Sequence, residues 1–167
     1  MRFFLRINYK ALGVPEQEPT PSSKPWELYA RCDTKDAETC VLFQQIARMV
    51  PKDRKAAMSA LHKLIIVAAS GQPITSYYDK KQCHDIHTFT YQSKERTVWR
   101  IWKGDVVRAT FYYGEGRTIL LTHAFAKYED KLTKAQKAML ETEVIAYIDA
   151  VNEKSLHFFE KSDNESH

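Results

Sequence analysis

Three stretches of the chain, residues 97–102, 106–113 and 118–125, are rich in β-branched and aromatic residues. They are parted only by Lys103-Gly104-Asp105 and by Gly114-Glu115-Gly116-Arg117. Connections that short leave no room for a crossover, so each stretch must turn back beside its neighbour, and an antiparallel meander is predicted. Side chains two apart in a strand point the same way. Arg108, Thr110 and Tyr112 therefore share one face of the middle stretch, and Val107, Ala109, Phe111 and Tyr113 share the other. The second set is apolar and belongs against helices.

The rest of the chain supplies those helices. Residues 1–10 alternate apolar and polar side chains as a half-buried strand does, broken at Phe4, and residues 13–25 hold four of the six prolines and read as an extended arm. Residues 26–32 are expected to form a second strand. Asp33 is a plausible N-cap for a helix running to about residue 50, carrying Val41, Leu42, Ile46 and Met49 on one side. Pro51 restarts the chain, and residues 53–70 read as a second helix with a stripe of Ala57, Leu61, Leu64, Ile65 and Ala68, closed by Gly71 and Pro73. Two helices with so short a break make an αα-hairpin. Thr133 with Gln136 is a capping box, from which Met139, Leu140, Val144, Ile145, Ile148 and Val151 repeat at helical spacing into an acidic end. The order predicts an α+β fold: a small antiparallel or mixed sheet, a helical hairpin and a C-terminal helix packed on one face, and the other face open. Three parts follow: an arm at 1–25, a domain at 26–152, and an acidic, disordered tail at 153–167.

Charge bears on what the open face meets. The 167 residues carry 25 Lys+Arg against 21 Asp+Glu, but residues 141–167 hold seven acids against two bases, which leaves +9 on residues 1–140. A basic body with an acidic tail suits a polyanionic partner. No apolar run approaches the length of a membrane span, and the N-terminus lacks a leader pattern, so a cytoplasmic protein is expected. The three cysteines, Cys32, Cys40 and Cys83, lack a paired spacing and fit reduced thiols. No cofactor is expected: there is no glycine-rich phosphate loop, and Cys83-His84-x-x-His87 offers at most three ligands to a metal.

On the open face the alternation sets a guanidinium, Arg108, and a phenol, Tyr112, with Lys127 and Tyr128 just past the third strand. Arginine grips phosphate bidentately and tyrosine stacks on bases or moves protons, a combination suited to single-stranded RNA. The same alternation also describes the solvated back of any antiparallel sheet.

Particular pieces of this region carry a family resemblance: residues 98–101, Arg108 to Tyr113, Leu120-Leu121-Thr122, Lys127-Tyr128-Glu129 and the helix start Leu132-Thr133. Together with the upstream helical hairpin, they make residues 26–150 similar to the RelE/HigB superfamily of toxins from toxin–antitoxin systems, in its HigB-like and phage-derived subgroup. The resemblance implies a RelE-like sheet. It also implies a metal-independent endoribonuclease that cuts mRNA, commonly at the ribosome, inhibits translation and growth, and is silenced by a cognate antitoxin, expected to be of helix-turn-helix type. In that chemistry a ribose 2′-hydroxyl attacks the adjacent phosphate, which calls for a base, an acid and cations on the phosphorane. The resemblance assigns phosphate stabilisation to Arg108, a second phosphate contact to Lys127, and proton transfer to Tyr128 and His123. Arg100, Lys103, Tyr112, Arg117 and Lys131 fall to RNA or phosphate binding. The chain departs from the family in one respect: where RelE toxins carry paired lysines before the central arginine, it reads Trp99, Arg100, Ile101, Trp102, with Lys103 at the turn. The same fold also hosts gyrase inhibitors of the ParE type and non-catalytic relatives that bind RNA or a partner, so both stand as alternatives.

Overall fold

A computed structural model of the chain describes residues 1–16, 24–103, 107–126 and 131–162, leaving aside the side chains of Trp102 and Lys103. The fold is α+β, with seven strands in one mixed sheet and four helices. The strands are β1 (Arg2–Arg6), β2 (Glu27–Cys32), β3 (Cys83–Tyr91), β4 (Lys94–Lys103), β5 (Val107–Tyr113), β6 (Thr118–Ala126) and β7 (Leu156–Phe159), and they lie in the order β3-β4-β5-β6-β2-β1-β7. The helices are α1 (Tyr9–Leu12), α2 (Val41–Ala47), α3 (Pro51–Ser70) and α4 (Lys134–Asn152). None among the described residues is long and apolar enough to cross a membrane.

The expected meander is β4, β5 and β6, and β3 extends it by one further strand at the edge. The β3–β4 turn places Gln92 and Ser93 at φ 53° and 63°, the left-handed pair of a tight hairpin turn. Neither is the Asn or Gly that usually marks such a turn, so it is silent in sequence. On the far side of β6, β2 pairs parallel to it through Leu28 with Ile119 and Tyr29 with Leu120, and β1 pairs antiparallel to β2. The chain's end returns as β7, parallel to β1 with Phe4 opposite Phe158. Residues 156–159 are therefore sheet, a correction to the disordered tail expected from 153 onward; residues 163–167 lie outside the described part.

The layers also correct the expectation. Alternate side chains of the sheet enter two separate apolar clusters. Leu28, Ala30, Ile101, Val107, Ala109, Phe111, Ile119 and Leu121 pack with Leu42 and Ile46 of α2 and with Leu61, Leu64 and Ile65 of α3. Phe4, Tyr29, Val98, Tyr112 and Leu120 pack with Leu140, Val144, Tyr147 and Ile148 of α4. The helical pair and α4 thus cover opposite faces, and the face expected to stay open is a second core. The apolar stripe on α4 had to be buried somewhere, and the first face was already filled by α2 and α3.

Local signals hold in part. Thr133 and Gln136 form the reciprocal capping box of α4, and Gly71, at φ 74°, ends α3. Asp33 does not start a helix. Its carboxylate accepts from Arg31, Asp36 caps a short 3₁₀ turn at Ala37–Thr39, and α2 begins only after Cys40. The strand expected over residues 1–10 ends at Arg6, where Asn8 caps the single turn of α1. Residues 17–23 of the arm lie outside the described part.

Two contacts seat α4. The Tyr147 ring runs under the β5–β6 turn, its hydroxyl accepting from the Glu115 amide at 3.2 Å, and a Cβ on Gly114 would overlap it, 2.7 Å from Cζ. At the other half of the helix the Arg31 guanidinium of β2 forks onto Glu143, with Nε and Nη2 donating at 2.8 and 2.9 Å. Arg31 stays partly exposed and keeps Asp33 as a second partner, so losing Glu143 strands a half-screened charge rather than a fully buried one. Glu143→Ala is expected to lower stability by about 1–3 kcal/mol, read as a smaller urea midpoint at unchanged slope.

Candidate functional site

The β4–β5 register decides where Arg100 points. It pairs with Thr110, two residues from Arg108, so both arginines belong to the α4 face. Both are buried, Arg108 to 2% exposure. The Arg100 guanidinium donates to Nε2 of His84, directly across in β3. His84 in turn donates through Nδ1 to the Asp85 carbonyl at 2.6 Å, which fixes the tautomer that leaves Nε2 an acceptor. Thr110 and Thr122 join hydroxyls at 2.6 Å on the neighbouring strand pair. The α4 face is therefore apolar under Val144, Tyr147 and Ile148, while Arg100, Arg108, Thr110 and Thr122 lie toward the end where β5 begins.

Ala126, the last described residue of β6, pairs with Val107, next to Arg108. Lys127 and Tyr128, which follow, lie outside the described residues, as does the Lys103 side chain. Lys131 is exposed just ahead of α4, and Lys134 and Lys137 are exposed on its opening turns, the first of which carries no acid.

The remaining candidates lie elsewhere. A bulge between Thr110 and Phe111 sets His123 against Gln45 of α2. Gln45 is oriented by its Oε1, which accepts from the Ala124 amide at 2.9 Å; its Nε2 therefore faces the ring, 2.5 Å from Nδ1. His123 is 5% exposed, and burial, acting against a weaker pull from the Thr122 carbonyl and Glu143, holds its pKa below the ordinary 6.5. Tyr112 sits four residues along β5 from Arg108, roughly 13 Å at strand rise, with its hydroxyl accepting from Arg96 at 3.2 Å. Arg117 lies in the turn beyond, stacked 4.4 Å from the Trp26 ring and donating to the Gly71 carbonyl at 3.0 Å. The predicted site residues are thus divided between the two ends of β5, and Arg117 clamps the turn to the end of α3.

Sequence reasoning missed His84, Gln45 and the Arg31–Glu143 fork. Gln45 and the Arg31–Glu143 fork join elements far apart in the chain, and His84, noted in sequence only as a possible metal ligand, meets Arg100 through the register of a hairpin whose turn the sequence does not mark. Arginine cannot shed its proton, so both buried guanidiniums stay charged within the α4 face. Among the described residues no group of three or more His, Cys, Asp or Glu side chains is placed to hold a metal ion. No family model matches the chain, and no curated protein is significantly similar to it.

The His123 shift fixes a sign. A histidine held neutral by the fold takes up its proton more readily in the unfolded chain. Its stabilising effect is therefore complete above about pH 6.5 and is lost as pH falls toward the lowered folded value. Thermal melts from pH 7.5 down to 5 are expected to show a steeper loss of stability for the parent than for His123→Gln.

Proposed function

We propose that the chain is the toxin of a toxin–antitoxin module, a metal-independent endoribonuclease acting on mRNA at the ribosome. One observation carries the reading: Arg100 and Arg108 share a sheet face at the end from which the chain runs on to Lys127, Tyr128 and Lys131. The succession of β2, the α2–α3 pair, the β4–β6 meander and α4 follows the order of the RelE/HigB resemblance, with β2 returning to lie beside β6. In this reading Arg108 and Arg100 stabilise the charge that builds on the phosphate as the 2′-hydroxyl attacks, Lys127 adds a contact to a phosphate oxygen, and Tyr128 moves a proton. His123, enclosed by Gln45 and Thr122, orients β6 instead. Because Arg108 is buried, RNA reaches it only when the α4 side of the sheet opens locally at that end.

That burial favours a second reading, a non-catalytic relative that docks a protein or RNA partner and keeps Arg108 as a structural cation. Induced expression in bacteria separates the two. The parent is expected to arrest growth and to leave new mRNA ends bearing 5′-hydroxyls. Arg108→Lys and Lys127→Ala, each shown folded by circular dichroism, are expected to lose on the order of 100-fold in cleavage. Undiminished cleavage in both variants overturns the site. A parent that neither arrests growth nor cuts RNA selects the second reading.

A further inference from the structure

Cys32 ends β2 and Cys40 precedes α2, and the two residues face each other across an isolated antiparallel bridge. Residues opposed in this way hold their Cα atoms roughly 4.5–5.5 Å apart, inside the roughly 4.4–6.8 Å span that a disulfide needs. Both thiols are free and buried in the core. One short loop, residues 33–39, joins them. Residues 33–36 of it are exposed, and it is tied by bonds such as Thr39 Oγ1 to the Asp36 carbonyl at 2.7 Å.

We propose that Cys32 and Cys40 form a modification site, an intrachain disulfide closed by exchange with an oxidised low-molecular-weight disulfide. The Cys40 thiolate attacks one sulfur of the reagent, forming a mixed disulfide and expelling one thiolate. The Cys32 sulfur, giving up its proton, then attacks Sγ of Cys40 and expels the second, so that two protein thiols and one disulfide become one protein disulfide and two free thiols. Order of attack follows from the surroundings. The neighbouring Cys32 and the backbone amides of Phe43 and Leu42 hold the Cys40 pKa below the ordinary thiol value against the effect of burial, while Cys32, beside Cys40 and itself buried, is pushed up. Access needs only the opening of the 33–39 loop, a local event far short of unfolding. Closure pins β2 to the start of α2, the helix whose Gln45 holds His123.

Cys83 supplies the internal control. It is buried on β3, opposite Ile101, and its pKa is pushed up to about 11 by burial. The test equilibrates the full-length protein with excess oxidised glutathione, quenches in acid, alkylates in denaturant and maps the peptides. The expected product is 2 Da lighter before alkylation, joins Cys32 to Cys40, leaves Cys83 as the one alkylated cysteine, reverts with dithiothreitol, and melts roughly 5 °C higher. Cys83→Ala is expected to form the same bond. Three alkylated cysteines, a glutathione adduct persisting on Cys32 or Cys40, or a bond through Cys83 overturns the proposal. None of these readings depends on ribonuclease activity.

Discussion

The packing of α4 across the second face of the sheet is the constraint on which the rest of the molecule depends. Val144, Tyr147 and Ile148 press onto Phe4, Tyr29, Tyr112 and Leu120, and the Arg31–Glu143 fork sets the helix's position over β2. Burial of that stripe supplies the driving force, and the charged fork, worth less on its own, fixes where along the sheet it is satisfied. Once α4 lies there, the chain emerging from it meets β1, and β7 forms with Phe158 stacked 3.8 Å from Tyr29. The N-terminal and C-terminal segments thus complete one sheet edge together, at which Arg6 also reaches Glu160.

The same packing reshapes the chemistry available to the chain. A sheet with one free face would offer Arg108, Thr110 and Tyr112 directly to solvent. With α4 in place they are buried, and Tyr112 joins the apolar cluster beneath the helix. A guanidinium keeps its charge wherever it is put, so Arg100 and Arg108 are charged groups enclosed beneath the helix side of the sheet. Lysines 131, 134 and 137 follow β6 in sequence. Positive charge at the start of a helix opposes the helix dipole, so these lysines are not there to stabilise α4.

Much of the sheet could be read locally. Period-two alternation separated Val107, Ala109 and Phe111 from Arg108, Thr110 and Tyr112, and that parity holds in the fold. The capping box at Thr133 and the glycine stop at Gly71 also act where the sequence places them. What failed were inferences about partners. Asp33 looked like an N-cap but is drawn to Arg31, β3 has polar side chains and a turn without Asn or Gly, and β7 lies in an acidic stretch that forms a strand only because β1 is there to pair with it. Arg100 could be placed on a face only once the hairpin register was known, and Gln45 met His123 only through the packing of α2 on β6.

By itself, then, the sequence determined which side chains share a strand face, where α3 ends and α4 begins, and that a basic body precedes an acidic end. These are properties of residues within a few positions of one another, set by backbone geometry and hydrogen bonding. Only the tertiary structure decided that both faces are covered, that Arg108 is buried, that Tyr112 and Arg117 sit at the far end from Arg108, and that Cys32 and Cys40 meet. Each of those depends on which of several compatible surfaces an apolar stripe buries, and that choice is made by the whole chain at once.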